Sequence, residues 1–286
     1  MNPTRILLLG GNGLLGTALR QILGAEGMDV HVPTSSEVDI RDLESIQIAL
    51  AKSSADLLIN SAAQSNTGRA EEEPELAFAV NADGARNVAL ASKKAGIPLV
   101  HVSSDYVFDG KAKRPYKETD PTGVPPSVYG QSKLKGELLV RKTWPQHFIL
   151  RVASLFGEGG RPDFVDWVLE KADPQKPLTI VADRIVSPTW TFDFARQVRV
   201  LVRTRFFGTY HATGQGGCSW YDLACSALKL SGRDPSGVCP VPDSELKSNV
   251  VRPVFSALDN DALRALGLDC MRPWEEALAM HLHGRK

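Results

Sequence analysis

Short apolar runs alternate with longer segments of helical apolar periodicity through the first half of the chain. A short apolar run bounded by glycine or polar residues is typical of a strand buried on both faces of a parallel sheet. The runs that predict strands are Arg5–Leu9, Met28–Val32, Asp56–Asn60, Pro98–Val102 and His147–Val152. The segments that predict helices between them are Thr17–Leu23, Pro74–Lys94 and Val128–Val140.

This alternation predicts an α/β protein with a doubly wound parallel sheet of the Rossmann type, because parallel strands need crossover helices. Beyond residue 155 the pattern is less regular: it predicts helices at Phe164–Lys171 and Trp220–Leu230, and Gly208–Ala212 as a further strand of the main sheet. We therefore expect two interleaved units. They are a dinucleotide-binding domain over 1–152 plus about 183–212, and a smaller substrate-binding lobe over about 153–182 plus 213–286.

A glycine-rich turn follows directly on the first predicted strand. Gly10, Gly13 and Gly16 have the G-x-x-G-x-x-G spacing, and a helix is predicted after them. In a strand, turn and helix unit, such glycines let a pyrophosphate approach the free N–H groups of the helix. Glycine-rich turns also serve ordinary strand-to-helix connections, so this interpretation needs its structural context. The predicted cofactor contacts in the turn are Gly10, Asn12, Gly13, Leu14, Leu15 and Gly16.

The second predicted strand ends in Pro33-Thr-Ser-Ser36, where many NAD sites carry an acidic residue. Small hydroxyl side chains tolerate a 2′-phosphate, so we expect NADPH as cofactor and NADH as an alternative. Asp39 and Ile40 either border the adenine or cap the helix that begins near Arg41. The small residues after the third strand either admit the cofactor or only allow close packing. The further predicted contacts are Ser35, Asp39, Ile40, Ser61, Ala62 and Ala63.

Tyr129 and Lys133 are four residues apart in a predicted helix, which places them one turn apart on the same face. A cation close to a phenol lowers its pKa and makes it a usable proton donor at neutral pH. Such a pair also occurs by chance on solvated surfaces. Polar residues also follow the fourth strand, in Ser103-Ser-Asp-Tyr-Val-Phe-Asp-Gly110. The carboxyl end of a parallel strand is where open α/β sheets bind ligands.

Composition excludes several classes of protein. The 286 residues carry 33 basic and 33 acidic side chains, so no overall charge attracts nucleic acid or an anionic membrane. No apolar run among those that predict strands is long enough to span a bilayer. Cys218, Cys225, Cys239 and Cys270 have no metal-site spacing, and we expect no metal. These observations predict a cytoplasmic protein.

The motifs together resemble the extended short-chain dehydrogenase/reductases and, among these, the dTDP-4-dehydrorhamnose reductase family. The likeness covers nearly the whole chain. Its most specific part is Ser104-Asp-Tyr-Val-Phe-Asp-Gly110, and it also includes the glycine turn, Tyr129-Gly-x-x-Lys133, Ser187-Pro-Thr189 and Arg252-Pro253. The resemblance implies reduction of the C4 keto group of a nucleotide-linked 4-keto-6-deoxy sugar by NAD(P)H, with dTDP-4-dehydro-L-rhamnose as the expected substrate. It also implies a monomer or homodimer.

The resemblance assigns roles to individual residues. Tyr129 would protonate the developing alkoxide, Lys133 would bond the nicotinamide ribose, and Ser104 would donate to the same substrate oxygen. These three are the expected catalytic residues, and Tyr129 and Lys133 are also expected to contact the cofactor. The expected substrate contacts are Ser104, Asp105, Tyr106, Tyr129, Ser154 and Arg252.

The chain departs from the family pattern at positions that concern the substrate. Arg151-Val-Ala-Ser154 stands where rhamnose-forming members have Arg-Thr-Ser-Trp, and Phe255 stands where an Asn usually follows Arg-Pro. A reductase for a related deoxysugar is therefore an alternative. A second alternative is a non-catalytic, NADP-binding regulatory subunit resembling the methionine adenosyltransferase β subunit, which keeps the same motifs. An epimerase or dehydratase fits less well, since Ser103-Ser104-Asp105 supplies a single carboxylate.

Overall fold

The computed structural model describes residues 4–246 and 248–284. Its strands are β1 (Arg5–Leu9), β2 (Asp29–His31), β3 (Leu57–Asn60), β4 (Leu99–Ser104), β5 (His147–Val152), β6 (Leu155–Phe156), β7 (Leu178–Val181), β8 (Ile185–Val186), β9 (Thr189–Trp190), β10 (Gly208–His211), β11 (Cys218–Ser219) and β12 (Val238–Val241). Its helices are α1 (Leu14–Ala25), α2 (Leu43–Ser53), α3 (Thr67–Glu72), α4 (Pro74–Phe78), α5 (Ala85–Ala95), α6 (Val128–Thr143), α7 (Phe164–Lys171), α8 (Thr191–Leu201), α9 (Trp220–Leu230), α10 (Asp261–Ala265) and α11 (Trp274–His283).

Within the described residues, six parallel strands form the main sheet in the order β10-β5-β4-β3-β1-β2. The predicted doubly wound parallel sheet is therefore confirmed. The prediction that the strand at Gly208–His211 belongs to this sheet is confirmed as well. The division into two interleaved units stays a prediction. Of the residues assigned to those units, 1–3, 247 and 285–286 lie outside the described residues.

The apolar run of β1 is buried because helices cover both faces of the sheet. Ile6 and Leu8 pack with α1 and α8 in one core cluster, which also contains Phe194. Leu7 and Leu9 point to the other face and pack with α2, α5 and α6. Burying each such leucine contributes about 1.5–3 kcal/mol relative to leaving it exposed. A strand buried on both faces has to be apolar at every position, which explains the continuous run.

The predicted helix over Pro74–Lys94 is interrupted. α4 continues into a π-helical segment, Ala79–Gly84, and only then into α5. Asn81 in this segment exchanges hydrogen bonds with the backbone of Gln64, at 2.9 and 3.0 Å, and donates to Ser132 Oγ at 3.0 Å. The extra residue in the π turn thus places a polar side chain between α6 and the chain after β3, as π-bulges at functional sites often do.

The remaining strands are short and lie outside the main sheet. β6 pairs with β9, β7 with β12, and β8 with β11. Helices α7, α9 and α11 pack around them in a separate core that contains Val165, Leu223 and Leu278. This second layer stands beside the carboxyl end of the sheet, because β6 follows β5 after only two residues, Ala153 and Ser154.

Candidate active site

The N-terminus of α1, which follows the turn from β1, has no side-chain cap. Its N-cap residue, Gly13, makes no side-chain hydrogen bond to the helix. Gly10 has φ 75°, and a Cβ atom there would lie 2.5 Å from the backbone N of Ala62, so only glycine fits. The free N–H groups and the helix dipole favour an anion at this place. The turn is therefore suited to the pyrophosphate of a dinucleotide.

Adjoining cavities run from this turn along the carboxyl ends of the strands. Two cavities, of about 180 and 510 Å³, share Ser35, Ile40 and Ala62 and lie on the β2 side of the turn. A larger one, of about 1080 Å³, lies on the other side and reaches Ser154. The groove fits a dinucleotide whose phosphates lie at the turn. The predicted residues that line it are Gly10, Asn12, Gly13, Leu14, Ser35, Asp39, Ile40, Ala62, Ala63 and Ser154.

Five residues predicted as cofactor contacts do not line these cavities: Tyr129 and Lys133 on α6, and three residues around the turn, Leu15, Gly16 and Ser61. Leu15 packs in the core, and Gly16 packs against the backbone of Gly10 and Gly11. The Ser61 hydroxyl is turned back to donate to the carbonyl of Leu9 at 2.8 Å. Leu15, Gly16 and Ser61 support the turn on the side facing the protein core, because residues of α1 on the sheet side are buried against β1.

Asp39 lines the groove and does not cap a helix. Asp42 is the N-cap residue of α2, since its carboxylate accepts from the backbone N of Glu44 at 2.9 Å. Asp39 is held by Arg41 in a two-point ion pair, with Nε to Oδ1 at 3.0 Å and NH2 to Oδ2 at 2.6 Å. This pair lowers the pKa of Asp39. The alternative interpretation of Asp39 as a helix cap is therefore wrong.

Tyr129 lies in the first turn of α6, which begins after the N-cap residue Ser127. The Ser127 hydroxyl accepts from the backbone N of Gly130 at 3.1 Å and so fixes the start of the helix. The Tyr129 ring meets the Tyr106 ring edge to face, with centroids 5.6 Å apart. Burial raises the pKa of Tyr129 to about 12, while hydrogen bonding to Ser104 opposes the rise. Tyr129 is therefore protonated at neutral pH and can act as a proton donor.

Ser104 and Asp105 lie at the end of β4, beside Tyr129. The Ser104 hydroxyl donates to Asp105 Oδ1 at 2.9 Å and accepts from the backbone N of Tyr106 at 3.2 Å. Asp105 is buried, and burial raises its pKa to about 6, against the effect of the Ser104 hydrogen bond. The four polar residues Ser104, Asp105, Tyr106 and Tyr129 thus converge at one edge of the sheet, as the sequence predicts.

Lys133 follows one turn after Tyr129 and is buried. Its Nζ donates to the carbonyl oxygen of Val102 on β4 at 2.7 Å. Burial lowers its pKa to about 8, and the nearby Glu137 carboxylate opposes this effect. The net pKa of Tyr129 is raised because burial of the phenol dominates, and the expectation that Lys133 lowers it stays a prediction. The pair shares a helix face as predicted.

The comparisons with known proteins identify the family. The family model described as RmlD substrate binding domain matches residues 4–285. The chain belongs to this family. The dTDP-4-dehydrorhamnose reductase of Streptomyces griseus is 38% identical over 280 residues, which cover 96% of this chain and 91% of the relative. The dTDP-4-keto-6-deoxy-D-glucose reductase of Streptomyces niveus is 36% identical, covering 96% and 95%.

A solved structure of the RmlD family has nearly the same fold. The dTDP-4-dehydrorhamnose reductase of Bacillus anthracis, in complex with NADP, has a TM-score of 0.94 and 33% identity. The match covers 99% of this chain and 100% of that one. The predicted family resemblance is confirmed by these matches over the whole length, and the groove along the sheet lies in a fold that holds NADP in this relative.

The second layer of this RmlD-family chain carries a further cavity of about 290 Å³. Tyr106 and Arg252, two of the predicted substrate contacts, line it together with Arg184. Arg184 is buried and ion-paired with Asp243, and its pKa is lowered by burial and by the neighbouring Arg252. Three further aromatic side chains also line it: Phe164, Trp167 and Trp220. Two guanidinium groups beside aromatic rings suit a nucleoside diphosphate.

The two substrate-side cavities meet at an aromatic pair. Phe164 and Trp220 line both the cavity of about 1080 Å³ and that of about 290 Å³, and their ring centroids are 4.6 Å apart at an interplanar angle of 73°. Ser154 lines the larger cavity and has a left-handed backbone, with φ 44°. A residue other than glycine in this conformation is uncommon and is often associated with a site.

Several site residues could not be recognised from the sequence. The structure adds Arg41 and Arg69 to the adenosine side of the groove, and Arg161 to the large cavity. Arg161 belongs to the loop 157–162, which lies against the start of α1: a Cβ atom on Gly160 would be 2.6 Å from the backbone N of Leu14. No local periodicity marks these positions, because chain elements distant in sequence bring them together.

Two further observations bear on partners. Among the described residues, no three or more His, Cys, Asp or Glu side chains are grouped so that they could hold a metal ion. Over the same residues, none of the helices combines the length and the apolar character that crossing a bilayer requires. The expected absence of a metal and the cytoplasmic location remain predictions.

Proposed function

We propose that this protein reduces the C4 keto group of a nucleotide-linked 4-keto-6-deoxy sugar with NADPH, and that NADH can replace NADPH. The observation that carries the proposal is the convergence of Ser104, Asp105 and Tyr129 on one edge of the sheet, in a fold whose glycine turn leaves the N-terminus of α1 without a side-chain cap. The similarity to reductases of this class over the whole chain supports it.

Tyr129 is the proton donor in this proposal. Its phenol is protonated at neutral pH, because burial raises its pKa to about 12. As negative charge grows on the substrate oxygen, the phenol donates its proton to that oxygen. The Ser104 hydroxyl, which lies beside it, donates a hydrogen bond to the same oxygen and stabilises the charge. For this step Ser104 rotates its hydrogen away from Asp105.

The groove residues hold the cofactor in place. The turn from Gly10 to Leu14 takes the pyrophosphate, and the cavities bordered by Ser35, Asp39 and Ile40 take the adenosine. Lys133, whose ammonium group donates to the Val102 carbonyl, would bond the nicotinamide ribose. Bound NADPH supplies the hydride for the carbonyl carbon.

The substrate lies across the aromatic pair formed by Phe164 and Trp220. The sugar occupies the part of the large cavity that Ser154 borders, and the diphosphate and base occupy the cavity beside Tyr106, Arg184 and Arg252. We expect dTDP-4-dehydro-L-rhamnose as substrate and dTDP-L-rhamnose as product. We also expect a cytoplasmic monomer or homodimer.

A reductase for a related deoxysugar is the second candidate function. It is favoured by the relative that reduces dTDP-4-keto-6-deoxy-D-glucose, which is nearly as similar as the dTDP-4-dehydrorhamnose reductase. The small side chain of Ser154 on the wall of the large cavity is compatible with either sugar.

The deciding experiment measures NADPH and NADH oxidation by the purified protein with a panel of nucleotide-linked 4-keto-6-deoxy sugars. We expect oxidation with dTDP-4-dehydro-L-rhamnose, and faster oxidation with another member would assign the second function. Products are identified by NMR, since the configuration at C4 distinguishes them. Oxidation with no member of the panel, together with co-purification of an enzyme that it regulates, would favour the regulatory subunit instead.

A further inference from the structure

A buried carboxylate lies on α6 one turn beyond Lys133. Glu137 has no exposed surface, and Arg151 binds it at two points, with Nε to Oε1 and NH2 to Oε2 both at 2.8 Å. Arg141 reaches Oε2 from the half-exposed side of the helix at 2.5 Å. Arg151 is itself buried on β5. A buried carboxylate with such partners stays ionised, and the pKa of Glu137 is about 2, since the arginines outweigh the effect of burial.

Glu137 and Lys133 occupy the same space between α6 and the sheet. They are four residues apart, so they share the helix face that packs on β4 and β5. Lys133 contacts the carbonyl of Val102 on β4, and Arg151 lies on β5 next to Leu150, which pairs with Val102. Lys133 is therefore a second buried cation on the helix face that carries Glu137, although Arg151 and not Lys133 is ion-paired with the carboxylate.

We propose that Glu137 is a positioning residue that keeps Lys133 charged, and that Arg151 holds the Glu137 carboxylate in the place where it can do so. Lys133 needs its charge to bond the cofactor ribose. A buried ammonium group loses its proton unless a negative charge offsets the loss of hydration. The carboxylate supplies that charge from inside the protein, where no ligand displaces it.

The other titratable groups around this cluster do not replace Glu137. Burial lowers the pKa of His101 and of His211 to about 3, and Lys133 and Arg151 respectively add to the effect, so both imidazoles are neutral. Burial likewise lowers the pKa of His147. The groups that face the cluster are His101 from β4, His147 and Arg151 from β5, His211 from β10, and Arg141 and Tyr129 from α6.

The pKa of Lys133, at about 8, lies close to neutral pH. Its ammonium form is present below this value and is lost as the pH rises through it. Removing the Glu137 charge lowers the pKa further, and a pKa lower by about one makes the ammonium form roughly tenfold scarcer relative to the neutral amine at a given pH. The activity of the folded enzyme should then fall at a lower pH, although neither Tyr129 nor the groove has been altered.

The test compares Glu137→Gln with the wild-type chain in two measurements. In lysine-labelled protein, NMR follows the titration of the Lys133 side chain, with Lys133→Met used to assign its signal. We expect the titration midpoint to fall by at least about one pH unit in Glu137→Gln. The pH profile of kcat should show the same displacement of its alkaline limb, with about threefold lower kcat at pH 7.5, about tenfold lower kcat at pH 9 and recovery towards pH 6.

Two additional variants keep the test decisive. Glu137→Gln leaves Arg151 as an unpaired buried charge and can unfold the chain, so Glu137→Gln with Arg151→Met is examined as well. This double variant also lacks the carboxylate, but it loses a buried positive charge as well, so its midpoint should fall below that of the wild type by less than in Glu137→Gln. Glu26→Gln is the matched control, because Glu26 is likewise shared by two arginines, Arg199 and Arg203, but lies away from the site. Its midpoint should equal that of the wild type.

A midpoint and an alkaline limb that stay in place in a folded variant would overturn the proposal. In that case kcat would fall equally at every pH, as for a purely structural ion pair. The kinetic measurement rests on the proposed function, whereas the NMR titration does not. Absence of reductase activity in the wild-type protein would therefore refute the proposed function and leave the titration as the test of this inference.

Discussion

Two regions of the site are built in different ways. The catalytic edge lies at the carboxyl end of β4 and on α6, and it is formed by Ser104, Asp105, Tyr129, Lys133 and Glu137. The relative exposure of Ser104, Asp105, Lys133 and Glu137 is at most 6%. The substrate wall, formed by Phe164, Trp167, Arg184, Trp220 and Arg252, comes from the second layer, and its Trp167 is 38% exposed.

This difference in burial determines which of the two regions tolerates amino-acid substitutions. Polar groups at the catalytic edge satisfy one another in a dry environment, so replacing one leaves another buried without its partner. Side chains of the substrate wall are carried by short helices and by chain segments outside the main sheet, where substitutions disturb less of the core. Chemistry is therefore constrained by the sheet, and recognition of the sugar nucleotide can vary independently of it.

The largest expected effect separates the two regions by kcat. Tyr129→Phe removes the proton donor and should lower kcat by at least about a hundredfold. NADPH affinity, measured by fluorescence titration, should change little, because the ring and its contact with Tyr106 are kept. Tyr116→Phe, which removes a phenol bound to Asp109, is the control and should retain kcat. Near-normal turnover of Tyr129→Phe would refute the assignment of the donor.

The next effect should appear in KM. Arg252→Ala removes one guanidinium group from the cavity beside Tyr106, and the loss of a charged hydrogen bond to a diphosphate should raise KM for the sugar nucleotide about tenfold or more. The kcat value should be nearly kept, since the catalytic edge is untouched. Arg205→Ala removes an exposed arginine elsewhere and should change neither constant. A fall in kcat without a rise in KM would show that the two regions are not separable.

The smallest effect concerns stability and its dependence on pH. The pKa of Asp105 is raised by burial to about 6, so its stabilising contribution is present below its ordinary value of 3.8 and is lost as the pH rises through 6. Asp105→Asn mimics the protonated form and should raise Tm by a few degrees at pH 7.5, with a smaller gain at pH 5. The exposed Asp29→Asn is the control. An equal gain at both pH values would refute the linkage.

Much of the sheet could be predicted from periodicity alone. β5, α7 and α9 have the predicted bounds, because each has a regular apolar pattern in its local sequence. The π-helical segment Ala79–Gly84 could not be predicted, since it depends on Asn81 meeting Gln64 and Ser132, which are distant in the chain. Local pattern decides where an element forms, and tertiary contacts decide how it is distorted.

In the candidate site, too, local features could be predicted from the sequence and features that depend on tertiary contacts could not. The glycine turn and the pair of Tyr129 and Lys133 could be predicted, because their spacing is local. The direction in which the pKa of Tyr129 shifts could not be predicted, since it depends on how far the phenol is buried. Arg184 could not be recognised as a site residue either, because its position beside Arg252 depends on the packing of the second layer. Charges and burial are properties of the assembled fold.

The contact between Gly160 and Leu14 has a consequence for how this chain can diversify. With φ 71° and no room for a Cβ atom, Gly160 accepts no other side chain without moving the cofactor turn. Ser154, six residues earlier, already carries a side chain on the cavity wall. Substitutions at positions such as 154 can therefore change substrate specificity during evolution, while the loop 157–162 over the cofactor turn keeps its length and composition.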